Sequence, residues 1–241
     1  VTLDAKLQVK PQLASSYQVS PDGLTWTFTL KPGLKFSDGT PLTSQDVVYS
    51  INRTLLPATN SSVGYYLSLI KDYDQITGKK LPTLIGDSLL TPDANTVVIK
   101  ISQPAAYFLQ TLSYPTSYVV EKKLIDKYGT KFTDHLDEGG GAGPWKVTSY
   151  NHSTGVQLVP NDNYYDKKPQ IQKLSVLFYN DQSGMYKAYQ ANQLDFTPIP
   201  PEYLASNRSA KGFRETPELT IRYLAMNFLA KPFDNIKIRQ A

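Results

Sequence analysis

The most regular hydrophobic pattern in the chain lies between residues 26 and 30. Trp26, Phe28 and Leu30 alternate with two threonines, a period of two that is typical of a strand with one buried face. Pro21-Asp22-Gly23 precedes this segment and a Lys-Pro-Gly triplet follows it, and both favour turns. The pattern therefore predicts a short half-buried strand between two turns.

Helical spacing follows soon afterwards. Apolar residues recur every three or four positions from Val47 to Leu55, which predicts a helix over about Ser44 to Leu55. Thr43 lies three residues before Asp46, a variant of the capping box that marks a helix start. This part of the chain therefore combines a short strand and an amphipathic helix.

The rest of the chain mixes strand and helix patterns without a strict alternation, which argues for an α/β (mixed α+β) class. No repeat of 20–50 residues is visible. The predicted strands are 96–101, 145–150, 156–159, 174–179, Leu194-Asp195-Phe196 and Thr220 to Phe228, and the predicted helices begin at Pro104, Glu121, Ser183 and Pro200-Pro201.

Composition narrows the possible functions. The 241 residues are 40% hydrophobic, with a net charge of +4 and no Cys. Enough material is present for a sizeable core, and no apolar run approaches the roughly 18 residues of a membrane span. Lys and Arg are scattered rather than concentrated, which disfavours nucleic-acid binding. Thiol catalysis and disulfides are excluded, while 17 tyrosines weakly favour a recognition surface.

The sequence contains no recognisable catalytic motif. His135 and His152 lie in different predicted loops, without metal-ligand spacing. The carboxylate pairs Asp72/Asp74 and Asp137/Glu138 are better read as solvated loop residues than as an acid–base pair. The glycine-rich segment 138–144 leads into a predicted strand rather than a helix, so it favours a loop or hinge over a phosphate cradle. We expect no cofactor and no metal.

The two ends predict a piece of a longer protein. The sequence starts at Val1 without an initiator Met or a leader, and it stops within a predicted helix that Asp234 would cap. Such a short helix is unstable alone. The alternative is a natural carboxyl terminus that frays.

The stretch WTFTLKPGLKFSDGTPLTSQDVVYS, residues 26–50, resembles the signature of the extracytoplasmic solute-binding proteins, family 5, of ABC importers. Four later segments resemble that family in the same order, with single exchanges such as Trp145 for a usual Tyr. These segments are Gly143 to Val147, Asn161 to Tyr165, Leu194 to Phe196 and Pro232 to Ala241.

The resemblance implies a periplasmic-binding-protein type II-like lobe with the extra domain of family 5. Residues 1–137 would form the extra α/β domain and residues 138–231 part of the main-lobe sheet. Residues 232–241 would begin a second lobe. A ligand would then be enclosed by hinge closure of two lobes.

The resemblance also suggests ligand-binding residues. Asn227 matches a cleft-facing Asn of the family, and Tyr223 lies on the same face of the predicted strand. Tyr65 or Tyr66 is the candidate for a family Tyr that reaches the ligand from the extra domain. The alternative for each Tyr is core packing with a satisfied hydroxyl, and for Asn227 a structural hydrogen bond at a strand end.

The function that the resemblance implies is solute capture without catalysis. We expect a substrate-binding component of an ABC importer, most suited to oligopeptides and monomeric. It would work in the periplasm or lipid-anchored outside the cytoplasmic membrane, and would deliver its ligand to a membrane permease. Nickel complexes, oligosaccharides and opines remain alternative ligands within the family. From other classes, a carbohydrate-active enzyme or an interaction module remains open.

Overall fold

The computed structural model describes residues 1–216, 220–221 and 223–240 of the chain. It separates into two compact units, Val1–Thr197 and Pro198–Ala241. The first unit contains the sheets and the hydrophobic core, and the second contains short helices and irregular segments. The finer division at residues 137 and 231 stays a prediction.

The strands of the first unit form three antiparallel sheets. The first pairs β1 with β2, the second has the order β3-β4-β6-β5, and the third has the order β7-β8-β9. The strands are β1 Thr2–Leu3, β2 Val9–Lys10, β3 Ala14–Val19, β4 Thr25–Leu30, β5 Leu89–Asp93, β6 Thr96–Lys100, β7 Trp145–Asn151, β8 Gly155–Pro160 and β9 Leu174–Leu177.

The helices of both units are short apart from the first, and several connections are single 3-10 turns. The α-helices are α1 Ser44–Leu55, α2 Tyr73–Thr77, α3 Phe108–Thr111, α4 Lys122–Tyr128, α5 Gln182–Gln190, α6 Pro201–Asn207 and α7 Ile236–Gln240, and the 3-10 helices are Pro57–Thr59, Gly64–Leu67, Pro115–Ser117 and Gly129–His135. Within the described ranges, no helix is long and apolar enough to cross a bilayer.

Strand β4 lies in the interior of the four-stranded sheet. Trp26 is opposite Val19 of β3 on one side and Ile99 of β6 on the other. Trp26, Phe28 and Leu30 are all buried, so the alternation in the sequence correctly predicted the inward face. Because hydrogen bonds flank β4 on both sides, this strand fixes the position of the segments around it.

Helix α1 packs against β5 and β6 and begins where the sequence predicts. The backbone N–H of Thr43 donates a hydrogen bond to the Asp46 carboxylate at 2.8 Å, and the Thr43 hydroxyl donates to the same oxygen at 3.0 Å. The capping box is confirmed. Val48 and Ile51 are each 2% exposed, and their burial on the core side holds the helix in place.

Two predicted strands are wrong. The described residues of 220–228 are irregular, and Leu194-Asp195-Phe196 forms no strand. Ile221 is 86% exposed and Leu224 is 93% exposed. An alternating pattern yields a strand only when a neighbouring strand supplies hydrogen bonds. For residues 220–228 this partner is missing, because the described part of the second unit contains no strand.

Candidate functional site

Two of the predicted ligand-binding residues are neighbours in the 3-10 helix Gly64–Leu67. The rings of Tyr65 and Tyr66 stack with their centroids 4.6 Å apart. Leu67 is fully buried in the hydrophobic core and Gly64 is also buried, so these two residues anchor the turn. Tyr65 is 56% exposed, which leaves its ring available to another molecule.

A third tyrosine extends this stack. The ring of Tyr114 lies 4.1 Å from that of Tyr66, with 27° between the ring planes, and Tyr114 is 39% exposed. Tyr114 comes directly before the 3-10 helix Pro115–Ser117. We call Tyr65, Tyr66 and Tyr114 the tyrosine ladder. Tyr114 was not among the predicted residues, because it is distant in the sequence and no spacing connects it to the other two.

The hydroxyls of the ladder also influence one another. The neighbouring Tyr65 hydroxyl raises the pKa of the Tyr66 hydroxyl, with a smaller opposing effect from Tyr114. The Tyr66 hydroxyl in turn raises the pKa of Tyr114. These two hydroxyls therefore stay protonated at neutral pH. The ladder offers flat ring faces and neutral polar tips, a combination suited to recognition rather than acid–base chemistry.

The other two predicted residues belong to the second unit. Tyr223 is 80% exposed. The side-chain oxygen of Asn227 accepts a hydrogen bond from the backbone N–H of Leu229 at 3.0 Å. The backbone carbonyl of Asn227 accepts another from the backbone N–H of Ala230 at 3.0 Å. Asn227 thus stabilises a turn in this structure. The role of both residues toward a ligand stays a prediction.

The histidines and the acidic pairs have ordinary partners. His152 Nε2 lies 2.5 Å from Asp134, and His135 stacks on Tyr128. Asp72 pairs with Lys71 at 3.2 Å. Across the part of the chain that the structure describes, no group of three or more His, Asp or Glu side chains is arranged to hold a metal ion.

The sequence matches the bacterial extracellular solute-binding proteins, family 5 Middle, over residues 8–241. The chain belongs to this family. The match includes the 26–50 signature and the segments on both sides of the glycine-rich loop. The family expectation drawn from the sequence is therefore confirmed, and so is the fold class, since solved family members share the mixed helix and sheet architecture.

Among curated family 5 relatives, the oligopeptide-binding protein OppA of Bacillus subtilis (strain 168) is 30% identical over 95% of this chain and 43% of its own length. A dipeptide-binding protein of Escherichia coli (strain K12) is 32% identical over 97% of this chain and 45% of its own length. The chain therefore spans less than half the length of the curated relatives it matches.

Solved structures of family 5 proteins superpose on the chain. Haemophilus influenzae OppA in complex with the peptide RPPGFSPFR matches with a TM-score of 0.81 and 25% identity, over 99% of this chain and 48% of that one. The substrate-binding domain of an oligopeptide ABC transporter from Bacillus anthracis str. Ames matches with a TM-score of 0.77 and 26% identity, over 87% of this chain and 40% of that one.

Proposed function

We propose that the full-length protein is the substrate-binding component of an ABC importer and captures oligopeptides without altering them. The observation that carries this proposal is the match to family 5 over residues 8–241, together with relatives named for oligopeptides and dipeptides. The tyrosine ladder supports it, because exposed neutral rings with polar tips suit the recognition of varied peptides.

We further propose that Tyr65, Tyr66, Tyr223 and Asn227 contact the peptide, and we add Tyr114. The exposed faces of Tyr65 and Tyr114 can pack against apolar parts of a ligand, while the Asn227 amide can hydrogen-bond to a peptide backbone. Such contacts read the shape and the main chain of a peptide and tolerate many side chains.

The family name places these proteins outside the cell. For this protein we propose either the periplasm or a lipid anchor on the outer face of the cytoplasmic membrane. A membrane permease of the importer would accept the ligand, and the binding protein would act as a monomer. On this proposal the protein is a carrier and not an enzyme.

The test uses full-length protein that has been unfolded and refolded to remove bound solute. Peptides of two to five residues, a nickel chelate and an oligosaccharide are compared by thermal shift. A ligand at 100 times its Kd stabilises a protein by about 2.7 kcal/mol, so peptides should raise the melting temperature clearly. A shift with only the sugar or the chelate would overturn the peptide assignment, and turnover of a sugar would overturn the carrier role.

The contact residues are tested by calorimetric titration with the tightest peptide. Tyr223→Ala should weaken binding, whereas Leu224→Ala, which removes the adjacent and even more exposed side chain, should not. Asn227→Ala should weaken binding through the lost amide. If Tyr223→Ala and Asn227→Ala both bind as tightly as the original protein, the proposed contacts of Tyr223 and Asn227 are wrong.

A further inference from the structure

A buried acid holds the glycine-rich segment in place. Glu121 lies directly before α4 and is 3% exposed. One of its carboxyl oxygens, Oε2, accepts a hydrogen bond from the backbone N–H of Gly140 at 2.9 Å. Gly139 and Gly140 have φ values of 157° and 97°, which favour glycine. The close approach of this loop to Glu121 therefore depends on residues without side chains.

The other oxygen of Glu121 lacks any such partner. Oε1 is buried and forms no hydrogen bond with the described residues. A buried ionised carboxylate is unstable unless donors surround it. A protonated carboxyl, in contrast, needs fewer donors and itself carries an O–H to donate. The arrangement therefore fits the neutral acid better than the carboxylate.

A second acid faces the same place. A Cβ on Gly139 would lie 2.5 Å from Glu121 Oε2 and 3.5 Å from Asp38 Cβ, so two acids from different segments lie close to the loop. Asp38 belongs to the turn of the 26–50 signature. Its carboxylate accepts hydrogen bonds from the N–H of Thr40 at 2.8 Å, from the hydroxyl of Thr40 at 2.7 Å and from Lys123 Nζ at 3.3 Å.

Their different surroundings shift the pKa values of the two acids in opposite directions. Burial favours the neutral form of Asp38, but the hydrogen bonds from Thr40 and Lys123 outweigh it and hold the pKa of Asp38 below its ordinary value. Burial raises the pKa of Glu121 and outweighs the lowering by the hydrogen bond from Gly140, and the negative charge of Asp38 raises it further against the lowering by Lys123. As pH falls, Glu121 therefore takes up a proton before Asp38 does.

We propose that Glu121 is a proton-operated latch between the signature turn and the glycine-rich segment. When protonated, it accepts from Gly140 and places no second negative charge near Asp38, so the segment is held closed. When it ionises, two carboxylates face each other in a buried site and the contact weakens. A neighbouring bond from the N–H of Ser37 to the carbonyl of Gly141, at 2.8 Å, joins the same two elements and shows where loosening would be transmitted.

The direction of the pH effect follows from linkage. The closed state binds the proton more tightly than the open state, so closure is favoured at low pH and weakens as pH rises. Between the ordinary pKa of glutamate and the raised pKa of Glu121, opening should increase about tenfold per pH unit, and it should be constant above that range.

Other titratable groups near the segment form their own cluster. The Glu138 carboxylate accepts from Lys127 Nζ at 2.9 Å and from the Tyr128 hydroxyl at 2.6 Å, and it lies 3.5 Å from His135 Nδ1. The charged groups that shift the pKa of Glu121 are Asp38 and Lys123. Variants of the Glu138 cluster therefore serve as controls.

The experiment follows the amide of Gly140 by hydrogen exchange in the full-length protein, corrected for the intrinsic exchange rate at each pH. In the original protein the protection of Gly140 should fall about tenfold per pH unit through the titration of Glu121. Glu121→Gln, which keeps an acceptor and supplies a donor, should hold the protection constant. Glu138→Gln and His135→Gln should leave the fall in place.

A carboxyl NMR titration, with Glu121 assigned by its loss in Glu121→Gln, gives an independent measurement. A Glu121 that titrates at the ordinary glutamate value, or a pH profile of Gly140 unchanged in Glu121→Gln, overturns the latch. If Glu121→Gln fails to fold, Asp38→Asn decides the question with Glu121 intact. Removing the facing charge should move both the titration and the loss of protection to lower pH, and no movement contradicts the proposal.

Discussion

The ring of Tyr66 stacks on the ring of Tyr114 at a centroid distance of 4.1 Å. This contact joins the 3-10 helix Gly64–Leu67 to the turn before Pro115–Ser117, two segments separated by two helices and a β-hairpin in the sequence. Each ring limits the motion of the other. If the ladder contacts a peptide as proposed, this preorganisation lowers the entropy lost on binding.

The first prediction concerns this contact. Tyr114→Leu removes the ring that supports Tyr66, and aromatic pairs contribute about 0.5–1.5 kcal/mol beyond their buried area. The affinity of the full-length protein for its tightest peptide should therefore fall about 2- to 10-fold, measured by calorimetry. Tyr114→Phe keeps the ring and should lose less. Tyr107→Leu, which removes another exposed tyrosine, is the control, and an equal loss there would contradict the prediction.

Local patterns were sufficient to predict β4 and α1. The alternation from Trp26 to Leu30 and the helical spacing from Val47 to Leu55 each describe one buried face, and the capping pair Thr43 and Asp46 marks a boundary within four residues. Such signals depend on near neighbours in the sequence. The structure confirms these elements because their tertiary partners, β3, β5 and β6, are present in the same unit.

Features that depend on distant partners could not be predicted. Tyr114 joins the ladder only through folding, and Glu121 meets Asp38 and Gly140 only when α4, the signature turn and the glycine-rich segment converge. The alternating pattern at 220–228 predicted a strand that does not form, since it lacks a neighbouring strand among the described residues of its unit. A hydrophobic pattern identifies a face that can be buried, but the presence of a neighbouring strand decides whether a strand forms.

The second prediction concerns the start of α1. Thr43→Ala removes a hydroxyl that donates to Asp46 at 3.0 Å, and loss of a Thr cap costs about 1 kcal/mol of stability. The urea midpoint of the unit should fall, followed by tryptophan fluorescence, since Trp26 lies in the same core. Thr130→Ala, at an exposed position, is the matched control. Equal midpoints for Thr43→Ala and Thr130→Ala would show that the cap contributes nothing.

The third prediction concerns the pairing of β8 with β9. Gly155 has a φ of 139°, and a Cβ there would lie 2.1 Å from the carbonyl oxygen of Val176. Gly155→Ala should therefore separate the strands and lower stability by about 1–3 kcal/mol. Hydrogen exchange of the β8 and β9 amides measures this. Gly143→Ala, where a Cβ meets nothing within 4 Å, should leave the exchange rates unchanged. Unchanged exchange rates in Gly155→Ala would contradict this prediction.

The last prediction concerns acid stability and the cluster around Glu138. Hydrogen bonds from Tyr128 and then Lys127 hold the pKa of Glu138 below its ordinary value. The folded state therefore binds this proton less tightly than the unfolded state, so the stabilisation is present above the ordinary glutamate pKa and is lost as pH falls through the lowered one. Glu138→Gln should reduce the melting temperature at neutral pH and should flatten its decline in acid. Tyr128→Phe, which removes the 2.6 Å contact, should produce part of the same change, whereas Glu215→Gln, at an exposed glutamate of the second unit, should not. Parallel pH profiles for Glu138→Gln and the original protein would show that this carboxylate is not stabilised by folding.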